Sequence, residues 1–154
     1  MNRPIKIAML ATDLGFILYW LATALAWFPP DWLFKDYHDP LIVAWNWSFL
    51  PLDLLVSATG LSGLWLAANN AEGRGQTSRL AVGRQLQAAS LVLTVCSGLM
   101  AIAFWAFRAD FDPLWWGFNW FLLLYPLPCL VWLIRQAGDP DARTGRNNTT
   151  FVRS

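Results

Sequence analysis

Apolar residues gather into four long runs, about Ile5 to Trp27, Leu41 to Ala68, Gln85 to Phe107 and Leu114 to Ile134, separated by short polar segments. Each run is long enough to cross a hydrocarbon core of ~30 Å, which takes ~20 helical residues. Inside a bilayer a lone segment satisfies its backbone only as a helix, so the pattern predicts an all-α, integral membrane four-helix bundle. Little chain lies outside the runs, and residues 1–154 are expected to form a single transmembrane domain with a tail over 135–154. The first run also has the flanks of a signal peptide: Arg3 and Lys6 precede it, and Ala22-Thr23-Ala24 or Ala24-Leu25-Ala26 would suit a cleavage site. Asp13 inside the run argues against that reading, so the first helix is expected to be retained.

One pattern occurs twice. Asp39-Pro40-Leu41, followed after three residues by Trp45-Asn46-Trp47, returns 73 positions later as Asp112-Pro113-Leu114 and Phe118-Asn119-Trp120. Both copies open an apolar run, which predicts a duplicated helical hairpin whose second and fourth spans are equivalent about a pseudo-twofold axis along the membrane normal. In each copy the aspartate stands where it would cap a helix start and the proline where it would fill the first turn. Capping is therefore the plainer role for Asp39 and Asp112. Asn46 and Asn119 follow two turns deeper on the same face and are expected at one depth, each bonded across the bundle. The copies then diverge: Ser48-Phe49-Leu50-Pro51-Leu52-Asp53 stands against Phe121-Leu122-Leu123-Leu124-Tyr125-Pro126, which aligns Asp53 with a proline. Pro51, Pro126 and Pro128 are expected to bend their helices and free backbone carbonyls.

Composition agrees with a lipid solvent. Apolar residues make up 56% of the chain and charged residues 14%, and mean hydropathy is +0.39, a balance that leaves a soluble domain too little polar surface. Nine of the eleven lysines and arginines fall at the N-terminus (Arg3, Lys6), in the 69–84 segment (Arg74, Arg79, Arg84) and in the tail (Arg135, Arg143, Arg146, Arg153). By the positive-inside rule both termini are expected in the cytoplasm, with the protein a multi-pass component of the cell membrane. The opposite loops are acidic, with Asp31, Asp36, Asp39, Asp110 and Asp112 against Lys35 and Arg108. Trp27, Trp32, Trp45, Trp47, Trp115, Trp116 and Trp120 lie near that face, as headgroup anchors would. A net charge of +1 gives no footprint for nucleic acid.

No cofactor is expected. The sole histidine, His38, falls in a loop, so no pair of helix histidines can hold a haem. Cys96 and Cys129 are isolated, with no C-x-x-C pair, and are read as packing thiols. No phosphate-binding glycine loop, nucleophile elbow or metal-ligand cluster is present. Asn147-Asn148-Thr149-Thr150 matches a glycosylation acceptor, but a cytoplasmic tail would not meet that machinery.

Candidate chemistry rests on Asp13 and Asp53, the only ionisable side chains well inside the apolar runs. Counting ~1.5 Å per residue from opposite faces places both ~12 Å from the cytoplasmic boundary, and so at one level. A charged carboxylate there costs ~2.5 to 3.5 kcal/mol on insertion scales, so both are expected to face the interior and one or both to hold a proton at neutral pH. They serve either as a catalytic acid-base pair or as a structural lock between the first two spans. Gln87, Ser90, Thr94 and Ser97 add a polar stripe along the third span, while Ser57, Gly60 and Gly63 mark places where helices approach closely. The expected binding site is lined by Trp20, Asp39, Asn46, Trp47, Phe49, Thr94, Asn119 and Tyr125, with no metal.

The segment Ala11-Thr12-Asp13-Leu14-Gly15-Phe16 through Tyr19-Trp20, with Trp45-Asn46-Trp47-Ser48-Phe49-Leu50-Pro51-Leu52-Asp53-Leu54, resembles the YvaD-like family of small bacterial four-helix membrane proteins, which has no assigned activity. More distantly, Asp39-Pro40-Leu41 with Ser48-Phe49-Leu50 and Asp53 resembles the EXPERA superfamily of emopamil-binding-protein sterol isomerases and the sigma-2 receptor, at a shorter spacing. That likeness implies a lipid-accessible cavity in which Asp39 and Asp53 bind or protonate an apolar olefinic ligand.

Three functions fit these residues. The favoured one is a membrane-embedded site for a hydrophobic, sterol- or isoprenoid-like molecule, with acid-base isomerisation or cyclisation by a buried aspartate and aromatic faces to stabilise a cation. A small proton-coupled exporter using Asp13 is the second, and a structural or assembly subunit the third. Expected partners are membrane lipid and a hydrophobic small molecule; whether a second copy associates is left open.

Overall fold

The computed structural model describes residues 3–29, 32, 36, 38–69 and 76–137. Its helices are α1 (Arg3–Ala24), α2 (Pro40–Trp47), α3 (Leu50–Ala68), α4 (Gln76–Phe107), α5 (Pro113–Leu124) and α6 (Pro126–Ala137). α2 and α3 form one interrupted span and α5 and α6 another, so four stretches, Arg3–Ala24, Pro40–Ala68, Ser78–Phe107 and Pro113–Gln136, are long and apolar enough to cross a membrane. The protein is an all-helical bundle with no strand among the described residues. Asp31, Lys35, Arg74 and the tail beyond residue 137 lie outside the described residues, as does the asparagine-threonine pattern at 147–150.

The duplication is visible atom by atom at the two helix starts. Asp39 and Asp112 adopt nearly the same backbone, φ −86° with ψ 113° and φ −86° with ψ 118°. Asp39 Oδ1 accepts from the Leu41 amide at 2.9 Å, and Asp112 Oδ1 accepts from Leu114 and Trp115, both at 3.0 Å. The helix before each cap also ends alike. Ala26 and Ala109 sit at φ 50° and 53°, and the next amide reaches back five residues, Trp27 to the Ala22 carbonyl and Asp110 to the Trp105 carbonyl. This is the Schellman ending, with alanine where glycine is usual.

Each duplicated span is interrupted where proline removes an amide donor. Around Ser48 the bonding tightens, with the Phe49 amide reaching only to the Asn46 carbonyl, and α3 starts with Pro51 in its first turn. α6 starts at Pro126, three positions further along the repeat. The third helix runs longer than its apolar stretch, beginning at Gln76 instead of near residue 85. Nothing in residues 76–84 stops a helix, so α4 continues past the apolar boundary as a polar extension carrying Arg79 and Arg84.

Packing follows the small residues. At the face carrying the lysine- and arginine-rich ends, here the basic end, the backbones of α3 and α4 nearly touch. A Cβ on Gly63 would meet the Gly83 carbonyl at 2.8 Å, and Gln87 Nε2 donates to the Gly63 carbonyl at 3.0 Å. Gly98 brings α4 equally close to α5, where a Cβ would stand 2.8 Å from the Leu123 nitrogen. α1 lies against α3, and Met9 joins Leu91, Cys129 and Leu133 in a core that closes the basic half. Toward the acidic end α1 and α5 stand apart: Gly15 and Gly117 face open space. The interface between the second and third spans is therefore closed by glycines, while the one between the fourth and first is open over half its length.

Candidate functional site

A cavity of about 500 Å³ occupies the acidic half of the bundle, between α1 on one side and α5 on the other. That is within the ~300 to 1,000 Å³ typical of small-molecule sites. Its walls are chiefly aromatic: Phe16, Tyr19 and Trp20 from α1, Trp45 and Phe49 from the α2–α3 junction, and Trp115, Phe118 and Phe121 from α5. Trp45 stacks on Phe104 with ring centroids 4.0 Å apart and meets Trp105 edge-on, so the aromatic wall is braced from α4. Phe118 and Phe121 are at least half exposed, which leaves the α1–α5 side of the chamber facing the lipid. Trp32 stands at its mouth, 76% exposed.

Besides the indoles, six polar side chains line the chamber: Thr12 and Tyr19 of α1, Asn46 of α2, Asp53 of α3, Ser97 of α4 and Asn119 of α5. Asp53 lies in its wall, buried, and accepts from Trp20 Nε1 at Oδ2 and from Ser97 Oγ at Oδ1, both at 3.0 Å. Both donors are neutral, and no lysine or arginine among the described residues lines the chamber. Asn46 and Asn119 are both buried and both line it. Asn46 Oδ1 accepts from the Tyr19 hydroxyl at 3.0 Å, a bond across the bundle as expected. Asn119 differs: its Nδ2 donates to the Trp115 carbonyl at 2.8 Å, one turn back in its own helix, because α5 offers that carbonyl closer than any neighbour does.

Asp13 is not in this chamber. Its carboxyl group packs on Gly60, seven residues beyond Asp53 on α3, a separation of about 10 Å along the helix. The expectation of two acids at one level fails for a simple reason. Side chains lean toward the N-terminus of their own helix, and α1 and α3 run antiparallel, so acids that start from neighbouring turns are carried away from each other. Ser57 marks the junction, its hydroxyl donating to the backbone carbonyls of both Asp13 and Asp53, at 2.9 and 3.0 Å. Around Asp13 lie Ser90 and the Tyr125 hydroxyl, with Thr12 and Thr94 beside Tyr125. Neither Asp13 oxygen makes a hydrogen bond of good geometry among the described residues, although the Ser90 hydroxyl stands near enough to interact with the carboxyl group, and both oxygens are sealed from solvent. The two acids thus belong to separate sites, and no carboxylate pair is assembled in the cavity.

The other expected ligand-binding residues divide in the same way. Trp20, Asn46, Phe49 and Asn119 line the chamber, whereas Asp39, Trp47, Thr94 and Tyr125 do not. Asp39 is engaged as a cap, Trp47 packs on the back of Trp20 at 5.4 Å, and Thr94 donates to the Ser90 carbonyl within α4. Tyr125 stacks on Phe121 at 4.8 Å and faces the Asp13 side. Tyr19, Ser97, Trp45 and Trp115 were not expected at the site. Ser97 is the end of the polar stripe on the third span, and its spacing from Thr94 is the signal that pointed inward. Trp45 and Trp115 read as headgroup anchors, but tertiary packing turns them into the bundle.

Comparison with known proteins gives a family without a function. DUF5360, a family of unknown function, matches residues 5–139. Over 134 residues the chain is 46% identical to the uncharacterized protein YvaD of Bacillus subtilis (strain 168), covering 87% of this chain and 94% of that relative. No solved structure matches, and nothing in these matches connects the chain to the EXPERA superfamily.

Proposed function

Because the chain belongs to DUF5360, we propose its role from the site itself: it is a multi-pass membrane protein that takes a hydrophobic, sterol- or isoprenoid-like molecule from the bilayer into the chamber between α1 and α5. The observation that carries this reading is the chamber's combination of size, aromatic lining and a lipid-facing side with a single buried carboxylate in its wall. An apolar body would displace no bound charge from such walls, and Asp53, with lone pairs left beyond those used by Trp20 and Ser97, would accept a hydrogen bond from a hydroxyl or protonated amine at the ligand's polar end. Binding is favoured over isomerisation or cyclisation, because Asp13 does not reach the chamber to act with Asp53. The positive-inside rule puts the basic end in the cytoplasm and the chamber in the outer half of the cell membrane.

The test uses the protein in lipid nanodiscs with a diazirine-bearing isoprenoid alcohol as photoprobe and mass spectrometry to locate the adducts. Adducts on residues 11–20 and 114–122 that an untagged isoprenoid alcohol competes away, and that Gly15→Leu abolishes by filling the chamber, support the proposal. Gly15 suits this role because a side chain there meets nothing within 4 Å. Labelling spread over lipid-facing positions such as Leu54, Leu55 and Leu99, unaffected by competitor or by Gly15→Leu, refutes it.

A further inference from the structure

A second, smaller cleft lies at the basic end, where α1, α4 and α6 begin or end together, and its chemistry is unlike that of the chamber. It measures about 60 Å³ and is lined by Lys6 of α1, Arg84 and Gln87 of α4, and Trp132, Leu133 and Gln136 of α6. Two cations from different helices therefore line one opening that no carboxylate among the described residues lines. Neither cation has an ion-pair partner among the described residues; the ion pair described there, Arg108 with Asp36 at 3.9 Å, belongs to the opposite end. An anion between them would offset the mutual repulsion of two cations that line one cleft.

The surroundings say what kind of anion. Gln87 is buried to 1% exposure and pinned by its bond to the Gly63 carbonyl, so one wall is a fixed carboxamide. Trp132 and Leu133 form an apolar wall that continues into the bilayer-facing surface of α6 through the exposed Ile134. At about 60 Å³, where a single water needs at least ~10 to 15 Å³, the cleft has room for a few water-sized groups and so for a compact tetrahedral anion. Basic openings between spans at the cytoplasmic face are where anionic lipid headgroups sit, and long lysine and arginine stems reach such a depth along apolar surface.

We infer that the Lys6–Arg84 cleft is a binding site for a phosphate-bearing anion, with the phosphodiester of an anionic lipid headgroup as the source that its position selects. The site is independent of the chamber and would stand if no ligand entered there.

Native mass spectrometry of the detergent-solubilised protein, titrated with phosphatidylglycerol or phosphatidylcholine, reads it directly. One phosphatidylglycerol should be retained in preference to phosphatidylcholine. Lys6→Gln with Arg84→Gln should weaken it by about thirty-fold, from roughly fivefold per lost charge. Arg79→Gln with Arg135→Gln, which removes equal charge from the same end outside the cleft, should leave it bound. Lys6→Gln alone, at an exposed side chain, should give an intermediate loss and guards against misfolding of the double variant. Melting in millimolar inorganic phosphate separates the sources: stabilisation by phosphatidylglycerol alone assigns a lipid, and stabilisation by phosphate as well assigns a soluble anion to the same site. Equal loss in the two double variants, or no stabilisation by either phosphate source, overturns the inference.

Discussion

Gly60→Ala pushes a methyl group into the space held by the Asp13 carboxyl group, whose atoms are the nearest neighbours of a Cβ built at that position. Two effects of opposite sign compete. Alanine is the better helix former, by about 0.8 to 1.0 kcal/mol, which alone would make the variant more stable. Overpacking a closed contact costs about 1 to 3 kcal/mol. Here the larger effect wins, because the Asp13 side chain is short, fully buried and walled in by Ser90 and Tyr125. The net expectation is a loss of about 1 to 2 kcal/mol. The partner variant behaves differently. Asp13→Ala removes two oxygens whose polar neighbour, Ser90, is not held in good hydrogen-bond geometry, so apart from a small void the loss should be small, below about 1 kcal/mol. In the double variant the methyl group enters the vacated space and the helix-propensity gain is recovered, giving a coupling of about 2 to 3 kcal/mol. Unfolding in mixed micelles of increasing dodecyl sulfate, followed by far-ultraviolet circular dichroism, measures all four corners of this cycle. A Gly60→Ala protein as stable as the parent, or a double variant no better than Gly60→Ala, would show that the acid does not occupy this groove.

The same unfolding assay checks four further expectations. Gly98→Ala should cost more than Gly60→Ala, because its methyl group meets backbone, the Leu123 nitrogen at 2.8 Å and the Asn119 carbonyl at 2.9 Å, which cannot rotate away. Asp112→Ala should lower stability by about 1 kcal/mol and Asp39→Ala by less, since Asp112 accepts two amide hydrogens and Asp39 one; equal losses would refute the cap geometry. Ala109→Gly should raise stability by up to about 1 kcal/mol by relieving the left-handed backbone at φ 53°, and a loss would mean that the Schellman ending does not form. Trp20→Phe deprives the buried Asp53 of one of its two donors and should cost about 1 to 3 kcal/mol, part of which Asp53→Leu in the same chain restores.

Much of the architecture was legible because it depends on period and punctuation. The four spans follow from run length, the two caps from aspartate-proline pairs 73 residues apart, and the burial of Gln87, Ser90, Thr94 and Ser97 from their helical spacing. The site was less legible. Counting rise per residue places backbone atoms, and Ser57 does bond to the carbonyls of both acids. It does not carry the direction of a side chain, and in antiparallel helices that direction moved the two carboxyl groups about two turns apart. The aromatic residues posed the opposite difficulty. Trp45 and Trp115 have the composition and depth of headgroup anchors, and only the packing of Phe104 and Trp105 behind them turns their rings inward. Asn119 shows a third limit, since a side-chain amide can bond within its own helix as well as across the bundle and the sequence does not choose.

The chamber owes its existence to the places where the two hairpins are not alike. Four equivalent interfaces would close a symmetric bundle with no room inside. The second and third spans do close, because Gly63 and Gly83 let their backbones meet. Between the fourth and first spans the side chains near the contact are Phe16 and Trp20 facing Phe118 and Phe121, and bulky rings hold the helices apart while lining the gap. The acid follows the same logic. Its repeat equivalent is Pro126, which starts α6 and removes the amide that would have met the carbonyl of Leu122, itself a lining residue. An acid in one copy and a helix break in the other thus make the two walls of the chamber unlike, with the carboxylate on one side only. A buried carboxylate set in an aromatic enclosure is what would orient a largely apolar guest with a single polar end.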